Sequence, residues 1–308
     1  MVRHRPSSCR CSLPLSQPLW SSSEVSILSS KARRKKGYGV WVKTILIWGF
    51  AVLYLFPLVW TFSLSLKTQM DALSYPPKFI SILTLSNYVK VWSESDFLKY
   101  CLNSLIIALS ATVIGLTLAT PAAYVLSRKR YKPKGSKYIL FGVLSTRVVP
   151  QITFMIPFFI LFRKLRLIDT HISVIIMHLT IILGFGIWMM KSYFQEIPFE
   201  LEESALIDGC NYFTAFRRII LPLGAPGIAT TAIFSFNYSW NEFLYSLILT
   251  GKNTKTVPLG VYNWVGYEEI NWGGLTATAI LALVPILIFY GFVQRGLVRG
   301  LTMGAVKG

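Results

Sequence analysis

IPFELEESALIDGCNYFTAFRRIILP, from Ile197 to Pro222, is a polar stretch between two long apolar segments. Pro198 and the glutamates that follow it favour a helix start, because proline suits the first helical turn and acids suit the positive end of the helix dipole. Gly209 is typical of a residue that ends a helix. Asn211 can cap a second short helix, which we expect to stop before Pro222. The sequence therefore predicts two short helices joined by a glycine bend.

The two predicted helices carry apolar residues that so short a segment cannot bury by itself. These residues are Leu201, Ala205, Phe213 and Phe216. Exposed apolar surface of this kind marks an interaction site. We therefore expect the segment to dock on a partner protein.

The composition of the whole chain places this segment in a membrane protein. Of 308 residues, 53% are hydrophobic and 14% are charged, whereas soluble domains have about 25% charged residues. Such hydrophobicity excludes a disordered chain. Lys and Arg number 31 against 13 Asp and Glu, a net charge of +18. The apolar content nevertheless argues against a soluble nucleic-acid-binding protein, so we expect no nucleic-acid partner.

Six apolar segments are about long enough to cross a hydrocarbon layer of ~30 Å as helices. They cover residues 40–66, 103–126, 138–162, 171–190, 227–249 and 273–293. A membrane β-barrel is not indicated, since no ten-residue alternation recurs. The predicted fold is all-α: a polytopic membrane protein with six transmembrane helices over residues 37–308 and the polar stretch between helices 4 and 5. Residues 1–36 are predicted to be a disordered basic tail.

Basic residues predict the orientation of this bundle. Clusters of Lys and Arg lie at residues 31–36, at residues 128–137 and near the C-terminus. Cytoplasmic flanks carry such an excess, so both termini and the polar stretch are predicted to be cytoplasmic. Arg163, Lys164 and Arg166 would then face outside, and the other three clusters outweigh them.

The polar stretch resembles the EAA loop of bacterial ABC importer permeases. The resemblance is carried by Glu203-Ser204-Ala205, by Gly209, and by Ile219 followed by Leu221-Pro222. Ser204 replaces the usual alanine, which exchanges one small residue for another. The resemblance runs from about Trp41 to Gly308. Further motifs are similar to carbohydrate importer permeases of the maltose permease type: Pro76-Pro77, Leu85-Ser86-Asn87-Tyr88, Asn103-Ser104, Trp240-Asn241-Glu242-Phe243 and Gly300-Leu301-Thr302.

The resemblance implies a set of partners. The first short helix would be a coupling helix seated in a cytoplasmic ATPase subunit, and two such subunits would bind ATP with Mg²⁺. A second permease subunit would complete a heterodimer in the bacterial inner membrane. An extracytoplasmic binding protein would deliver a sugar or oligosaccharide. The ATPase-coupling residues carried over are Glu202, Glu203, Ser204, Ala205, Asp208, Gly209, Phe216, Leu221 and Pro222.

The chain shows no motif for chemistry of its own. No Gly-x4-Gly-Lys-Ser/Thr loop for a nucleotide occurs. The histidines His4, His171 and His178 show no metal-ligand spacing. We therefore expect a transport subunit, not an enzyme, without a metal or a cofactor in this chain.

Polar residues within the predicted spans are candidates for the translocation pathway. A charge at membrane depth needs a partner or water, so Arg147 and Glu242 either pair with each other or line a cavity. Aromatic rings and amides suit a sugar, although Trp and Tyr near span ends are also common interfacial anchors. The pathway candidates are Arg147, Asn237, Tyr238, Trp240, Asn241 and Glu242.

The resemblance also assigns two contact regions. The loop at residues 250–272, with Tyr262, Trp264 and Tyr267, would touch the binding protein. The tail from Gly300 to Gly308 would touch the ATPase dimer.

Other functions stay open at this point. An importer of a different solute is the main alternative, and an acidic saccharide is possible because Arg147 could face an anion. An ion-coupled secondary transporter needs intramembrane carboxylates and often inverted repeats, and only Glu242 fits. An integral-membrane enzyme would require a catalytic constellation.

Overall fold

Helices dominate the computed structural model, which describes residues 38–79, 81–128, 130, 133–145 and 148–304. The helices are α1 Tyr38–Ser65, α2 Gln69–Ala72, α3 Ser86–Glu94, α4 Phe97–Ser127, α5 Ser136–Ser145, α6 Gln151–Lys164, α7 His171–Glu196, α8 Glu200–Ile207, α9 Tyr212–Leu223, α10 Ala225–Asn241, α11 Leu244–Leu249, α12 Val257–Tyr262 and α13 Trp272–Gly304. Among the described residues, β-structure is limited to one bridge between Val265 and Ile270.

The chain divides into two units, residues 1–59 and residues 60–308. The described part of the first unit is the apolar beginning of α1.

Four described helices are long and apolar enough to cross a membrane: Trp41–Ser65, Phe97–Ser127, His171–Glu196 and Trp272–Gln294. A fifth candidate is the pair α9 and α10, which meet at an angle of 70°. The predicted span 138–162 consists of α5 and α6, and the predicted span 227–249 is interrupted between α10 and α11. Neither is one continuous helix, and the six-span count stays a prediction.

Helices α4 and α7 pack closely because small residues lie between them. A Cβ atom on Gly115 would lie 2.5 Å from a methyl carbon of Ile182, and one on Gly186 would lie 3.0 Å from the Cβ of Ala119. Small residues at helix contacts allow such close approach in membranes. The two helices therefore form the packed centre of the second unit.

Several sequence predictions fall outside the described residues. These are the basic tail at residues 1–36, Arg147 with its two alternatives, and the last four residues of the C-terminal tail. Nothing in the structure bears on them.

Candidate functional site

The segment between α7 and α10 forms the two short helices that the sequence predicts. Helix α8 ends in a Schellman motif: the amide of Gly209 donates to the carbonyl of Leu206 at 3.1 Å, and the amide of Cys210 donates to the carbonyl of Ala205 at 3.0 Å. Gly209 has a φ of +85°, a conformation in which a Cβ is unfavourable. The predicted glycine bend is thus confirmed.

Helix α9 is longer than predicted. Its start is confirmed, because the side chain of Asn211 accepts a 2.7 Å hydrogen bond from the amide of Thr214. The prediction that it stops before Pro222 is wrong, since α9 continues to Leu223 through a wide π turn at Phe216–Ile220. Proline lacks an N–H and its ring collides with the carbonyl four residues before it. A π turn just before proline relieves that conflict.

One face of α8 is exposed and the other is buried. Ile207 is 85% exposed and Leu201 is 44% exposed, whereas Glu202 is 0% and Ala205 5% exposed. The other predicted docking residues on the exposed face are Glu203, Ser204, Asp208 and Gly209. Phe213 of α9 is exposed as well, so half of the predicted apolar face is free for a partner.

The buried face of α8 is tied to the end of α4. The hydroxyl of Tyr124 donates to Oε1 of Glu202 at 2.6 Å. Nε of Arg128 lies 3.2 Å from Oε2 of the same carboxylate. Nη1 of Arg128 donates to the carbonyl of Ile197 at 2.9 Å, just beyond α7. Glu202 therefore bonds within this chain and is not presented to a partner.

Aromatic rings pack around the contact between α8 and the end of α4. The ring of Tyr124 lies 4.7 Å from that of Phe216 and 6.0 Å from that of Phe194, measured between centroids. A Cβ on Gly224 would lie 2.7 Å from a ring carbon of Phe194. The ring of Phe216 thus packs against α4 and α7 within this chain, and its role in ATPase coupling stays a prediction. Leu221 is half-buried and Pro222 is exposed.

Glu242 interrupts the fifth predicted span and is 6% exposed. Its carboxylate accepts hydrogen bonds from the amides of Tyr245 at 2.8 Å and Ser246 at 3.2 Å, which caps α11. Nε2 of His178 lies 3.2 Å from Oε2 of Glu242, and Nδ1 lies 2.6 Å from the hydroxyl of Ser239. A buried polar cluster thus surrounds the break between α10 and α11.

Two of the predicted pathway residues line an open cleft. The cleft holds about 210 Å³ between α7 and α10 and includes Asn237 and Tyr238. The hydroxyl of Tyr290 donates to Asn237 at 3.0 Å, and the amide of Gln151 donates to the hydroxyl of Tyr238 at 2.8 Å. Phe185 and Phe234, which meet edge to face, form the apolar wall.

The remaining pathway candidates lie elsewhere. Trp240 is 1% exposed, packs on Phe236 and does not line this cleft. Asn241 is exposed and bonds the carbonyl of Asn237 at 2.8 Å. The structure therefore separates the described members of this set into two cleft residues, a core residue, an exposed amide and a buried carboxylate.

The loop after α12 bears aromatic residues at a small hairpin. Asn271 donates its amide to the carbonyl of Trp264 at 3.0 Å, which brackets Tyr267, a fully exposed side chain. Tyr262 is 52% exposed, while the indole of Trp264 donates to Thr278 of α13 at 2.7 Å. Tyr267 and Tyr262 are thus free for contact, and Trp264 anchors the hairpin.

Asp169 holds the beginning of the same loop, and no sequence signal pointed to it. Its carboxylate accepts hydrogen bonds from the amide of Gly251 at 2.8 Å, the amide of Asn253 at 3.1 Å and the hydroxyl of Thr254 at 2.7 Å. Partial burial by itself would raise the pKa of this carboxyl, but these hydrogen bonds outweigh it, so the pKa lies below its ordinary value.

Sequence reasoning also missed Tyr124 and Arg128. Arg128 counted only as one charge of a topology cluster, and Tyr124 lies within an apolar span. The proximity of both residues to the polar segment arises only when α4 and α7 pack. His178 is a buried interior residue that hydrogen-bonds to Ser239. Among the described residues, no group of histidine, cysteine and acidic side chains could hold a metal ion.

The amino-acid sequence also matches characterised relatives. The trehalose transport system permease protein SugB of Mycobacterium tuberculosis is 35% identical over 281 residues, which are 89% of this chain and 99% of that protein. The diacetylchitobiose uptake system permease protein DasC of Streptomyces coelicolor is 33% identical and covers 82% of this chain and 92% of its own. The trehalose/maltose transport system permease protein MalG of Thermococcus litoralis is 34% identical, covering 84% and 93%.

Solved structures and a family model agree with this fold. A bacterial ABC transporter that imports the acidic polysaccharide alginate has a chain with a TM-score of 0.66 and 24% identity, covering 91% of this chain and 99% of that one. The methionine transporter MetNI matches with a TM-score of 0.53 and 16% identity, covering 66% and 95%. The family model matches residues 111–303. The chain therefore belongs to the family of inner membrane components of binding-protein-dependent transport systems.

Proposed function

We propose that this chain is one half of a heterodimeric permease that imports a sugar or oligosaccharide. Relatives named for trehalose, diacetylchitobiose and maltose transport support the substrate class. ATP with Mg²⁺ is hydrolysed on two separate ATPase subunits, and this chain contributes neither a nucleotide site nor a metal. An extracytoplasmic binding protein delivers the sugar.

The exposed face of α8 is the observation that carries the proposal. Ile207 and Leu201 present apolar surface beside the carboxylates of Glu203 and Asp208. Helix α8 is the coupling helix, and this face docks on the ATPase subunit. The positive φ of Gly209 lets the chain turn away immediately after that face. A partner can therefore close over the helix without meeting the next segment.

The coupling helix lies on the cytoplasmic side of the inner membrane in this proposal. Arg128 and Arg130 lie at the same end of α4 as α8, and cytoplasmic flanks favour such basic residues. Both chain termini then face the cytoplasm. The hairpin with Tyr267 lies outside, where it meets the binding protein together with Tyr262.

The sugar passes along the cleft between α7 and α10. Asn237 and Tyr238 offer hydrogen bonds to hydroxyls, and Phe185 and Phe234 offer ring faces to sugar carbons. The sequence predicts that Arg147 also lines this pathway. Glu242 acts behind the cleft by fixing the break between α10 and α11.

The test is uptake by proteoliposomes that contain this chain, its partner permease and the ATPase, with binding protein outside and ATP inside. We expect ATP-dependent uptake of trehalose, maltose or diacetylchitobiose and none of methionine, the matched control solute. Uptake of methionine alone would point to an importer of another solute. Uptake that an ionophore abolishes and ATP does not affect would indicate a secondary transporter.

Gly209→Asp tests the coupling helix directly. The variant introduces a side chain and a charge at a positive φ beside the docking face, so we expect it to reach the membrane and lose uptake. Gly135→Asp is the control, because Gly135 has a φ of +82° outside the segment between α7 and α10. Normal uptake by Gly209→Asp would contradict the assignment of α8 as the coupling helix.

A further inference from the structure

We propose that α4 is a strut that carries movement of the coupling helix across the membrane to the loop at residues 250–257, with Arg128 and Tyr124 as its positioning residues. This inference rests on the proposed function, because it requires α8 to move with an ATPase subunit. It concerns the link between the two sides of the membrane and not the docking face itself.

The inner joint of the strut is the buried ion pair of Arg128 and Glu202. Glu202 is 0% and Arg128 5% exposed, and Nε lies 3.2 Å from Oε2. Separating two such charges in a buried site would leave each without its partner, which is strongly unfavourable. The end of α4 must therefore follow α8 when α8 is displaced.

Arg128 brings a third segment into the same joint. Its Nη1 donates to the carbonyl of Ile197, in the link between α7 and α8. Tyr124, one turn earlier on α4, adds the hydroxyl bond to Glu202 and packs against the ring of Phe216 of α9 at an interplanar angle of 39°. One turn of α4 thus holds both short helices of the coupling segment.

The shaft of the strut is a continuous helix. α4 is one helix from Phe97 to Ser127, with Pro121 inside it, and the 25 steps from Asn103 to Arg128 span roughly 38 Å at ~1.5 Å per residue. The close contacts of Gly115 and Gly186 join α4 to α7 along this length. In this proposal, a displacement at one end moves the other end because the two helices are packed together along their length.

The outer joint binds the backbone of the loop after α11. The side-chain amide of Asn103 donates to the backbone carbonyls of Asn253 at 3.0 Å and Lys255 at 2.9 Å. The hydroxyl of Ser104 accepts a 2.8 Å hydrogen bond from the amide of Val257. His171 is the first residue of α7, and its Nε2 lies 2.9 Å from Oδ1 of Asn103, within hydrogen-bond distance. This loop leads through α12 to the hairpin that bears Tyr267.

The experiment measures the ATPase rate of the reconstituted transporter with and without sugar-loaded binding protein. We expect the ratio of the two rates to fall about ten-fold in Arg128→Gln and in Asn103→Ala, within the usual range of coupling between sites. A merely structural defect would lower both rates together and leave the ratio unchanged. An unchanged ratio in either variant overturns the inference.

A double variant tests whether Arg128 and Glu202 act as one joint. Arg128→Gln combined with Glu202→Gln should lower the ratio no further than Arg128→Gln alone, because either change already breaks the pair. A double variant that shows the product of the two separate effects overturns the inference.

If complexes with Arg128→Gln fail to assemble, Tyr124→Phe tests the proposed link between α4 and α8 instead. This variant keeps the ring packing on Phe216 and loses the hydroxyl bond to Glu202. We expect a fall of about five-fold in the ratio, and a wild-type ratio overturns the inference.

Matched controls are Lys191→Gln and Thr117→Ala, which should keep the wild-type ratio. Among the described residues, the amine of Lys191 bonds Gln195 of its own helix, and the hydroxyl of Thr117 bonds the carbonyl of Val113 in its own helix. If the wild-type transporter shows neither ATP-dependent uptake nor stimulation, the proposed function itself fails. If it shows both and the joint variants match it, only the strut fails.

Discussion

Glu202 and Glu242 are both buried carboxylates, but the chain holds them in opposite ways. Glu202 bonds Arg128 and Tyr124 of a distant helix. Glu242 bonds the amides of Tyr245 and Ser246, three and four residues further along the chain. The first carboxylate ties separate segments together, whereas the second shapes the helix that follows it.

The chemistry of the partners explains what the difference means for function. An arginine keeps its charge in proteins, so the pair with Glu202 is permanent and resists separation. Glu242 is held by backbone amides, a serine and His178, and an uncharged oxygen can accept most of these hydrogen bonds. The ion pair of Glu202 therefore suits a contact that must hold two segments together, as the proposed movement of α8 requires. The local hydrogen bonds of Glu242 suit a fixed break between two helices.

The largest effect is expected for Glu202→Ala. Removing one partner of a buried ion pair leaves the other charge uncompensated, which costs about 3–5 kcal/mol in the free energy of unfolding. The measurement is thermal or denaturant unfolding of the purified chain in detergent. Glu203→Ala is the control, because Glu203 is exposed and should change stability by less than about 0.5 kcal/mol. Equal effects in the two variants would remove the distinction between tether and surface acid.

Glu242→Ala and Glu242→Gln sharpen the other half of the comparison. Alanine leaves the buried amides of Tyr245 and Ser246 unpaired and should cost about 1–3 kcal/mol. Glutamine retains an acceptor oxygen and should cost clearly less than alanine. The same unfolding measurement applies. If Glu242→Gln lowers the free energy of unfolding as much as Glu242→Ala does, the negative charge matters at Glu242 as it does at Glu202.

A third carboxylate, Asp169, lies between the two cases, because many donors from a distant loop hold it and none of them is charged. Asp169→Asn should cost about 1–2 kcal/mol at neutral pH. Since the folded pKa is lowered, the carboxylate stabilises the fold above the ordinary pKa of about 3.9 and loses that effect as the pH falls through the folded value. The difference between wild type and variant should therefore shrink in acid, and a difference that does not depend on pH would contradict this.

An effect on stability no larger than that of Asp169→Asn is expected for Gly209→Ala. The positive φ of Gly209 disfavours a Cβ by about 1–2 kcal/mol, while no atom lies within 4 Å of the added carbon. Gly135→Ala has a similar φ and open surroundings, so the two variants should unfold alike. Only Gly209→Ala should also reduce uptake, because it lies beside the docking face. A loss of several kcal/mol would show that the bend is under strain that the geometry does not explain.

Sequence patterns predicted most of the structure of the segment between α7 and α10 and less of the structure of the spans. Pro198, Asn211 and Gly209 act through neighbours in the chain, so the two short helices and their bend were predictable. The end of α9 was not, because a π turn accommodates Pro222. The break at Glu242 was also missed, since a run of apolar residues predicts a span whether or not a side chain caps a new helix within it.

The sequence alone determined the membrane class, the all-helical fold and the family motif, because apolar length, charge and residue spacing are local properties of the chain. Only the tertiary structure decided which acids bond inward. Glu202 and Glu203 are adjacent and alike in sequence, yet one is buried against Arg128 and the other is exposed. One helical position rotates a side chain by about 100°, so the packing of α8 on α4 turns one acid inward and leaves its neighbour exposed.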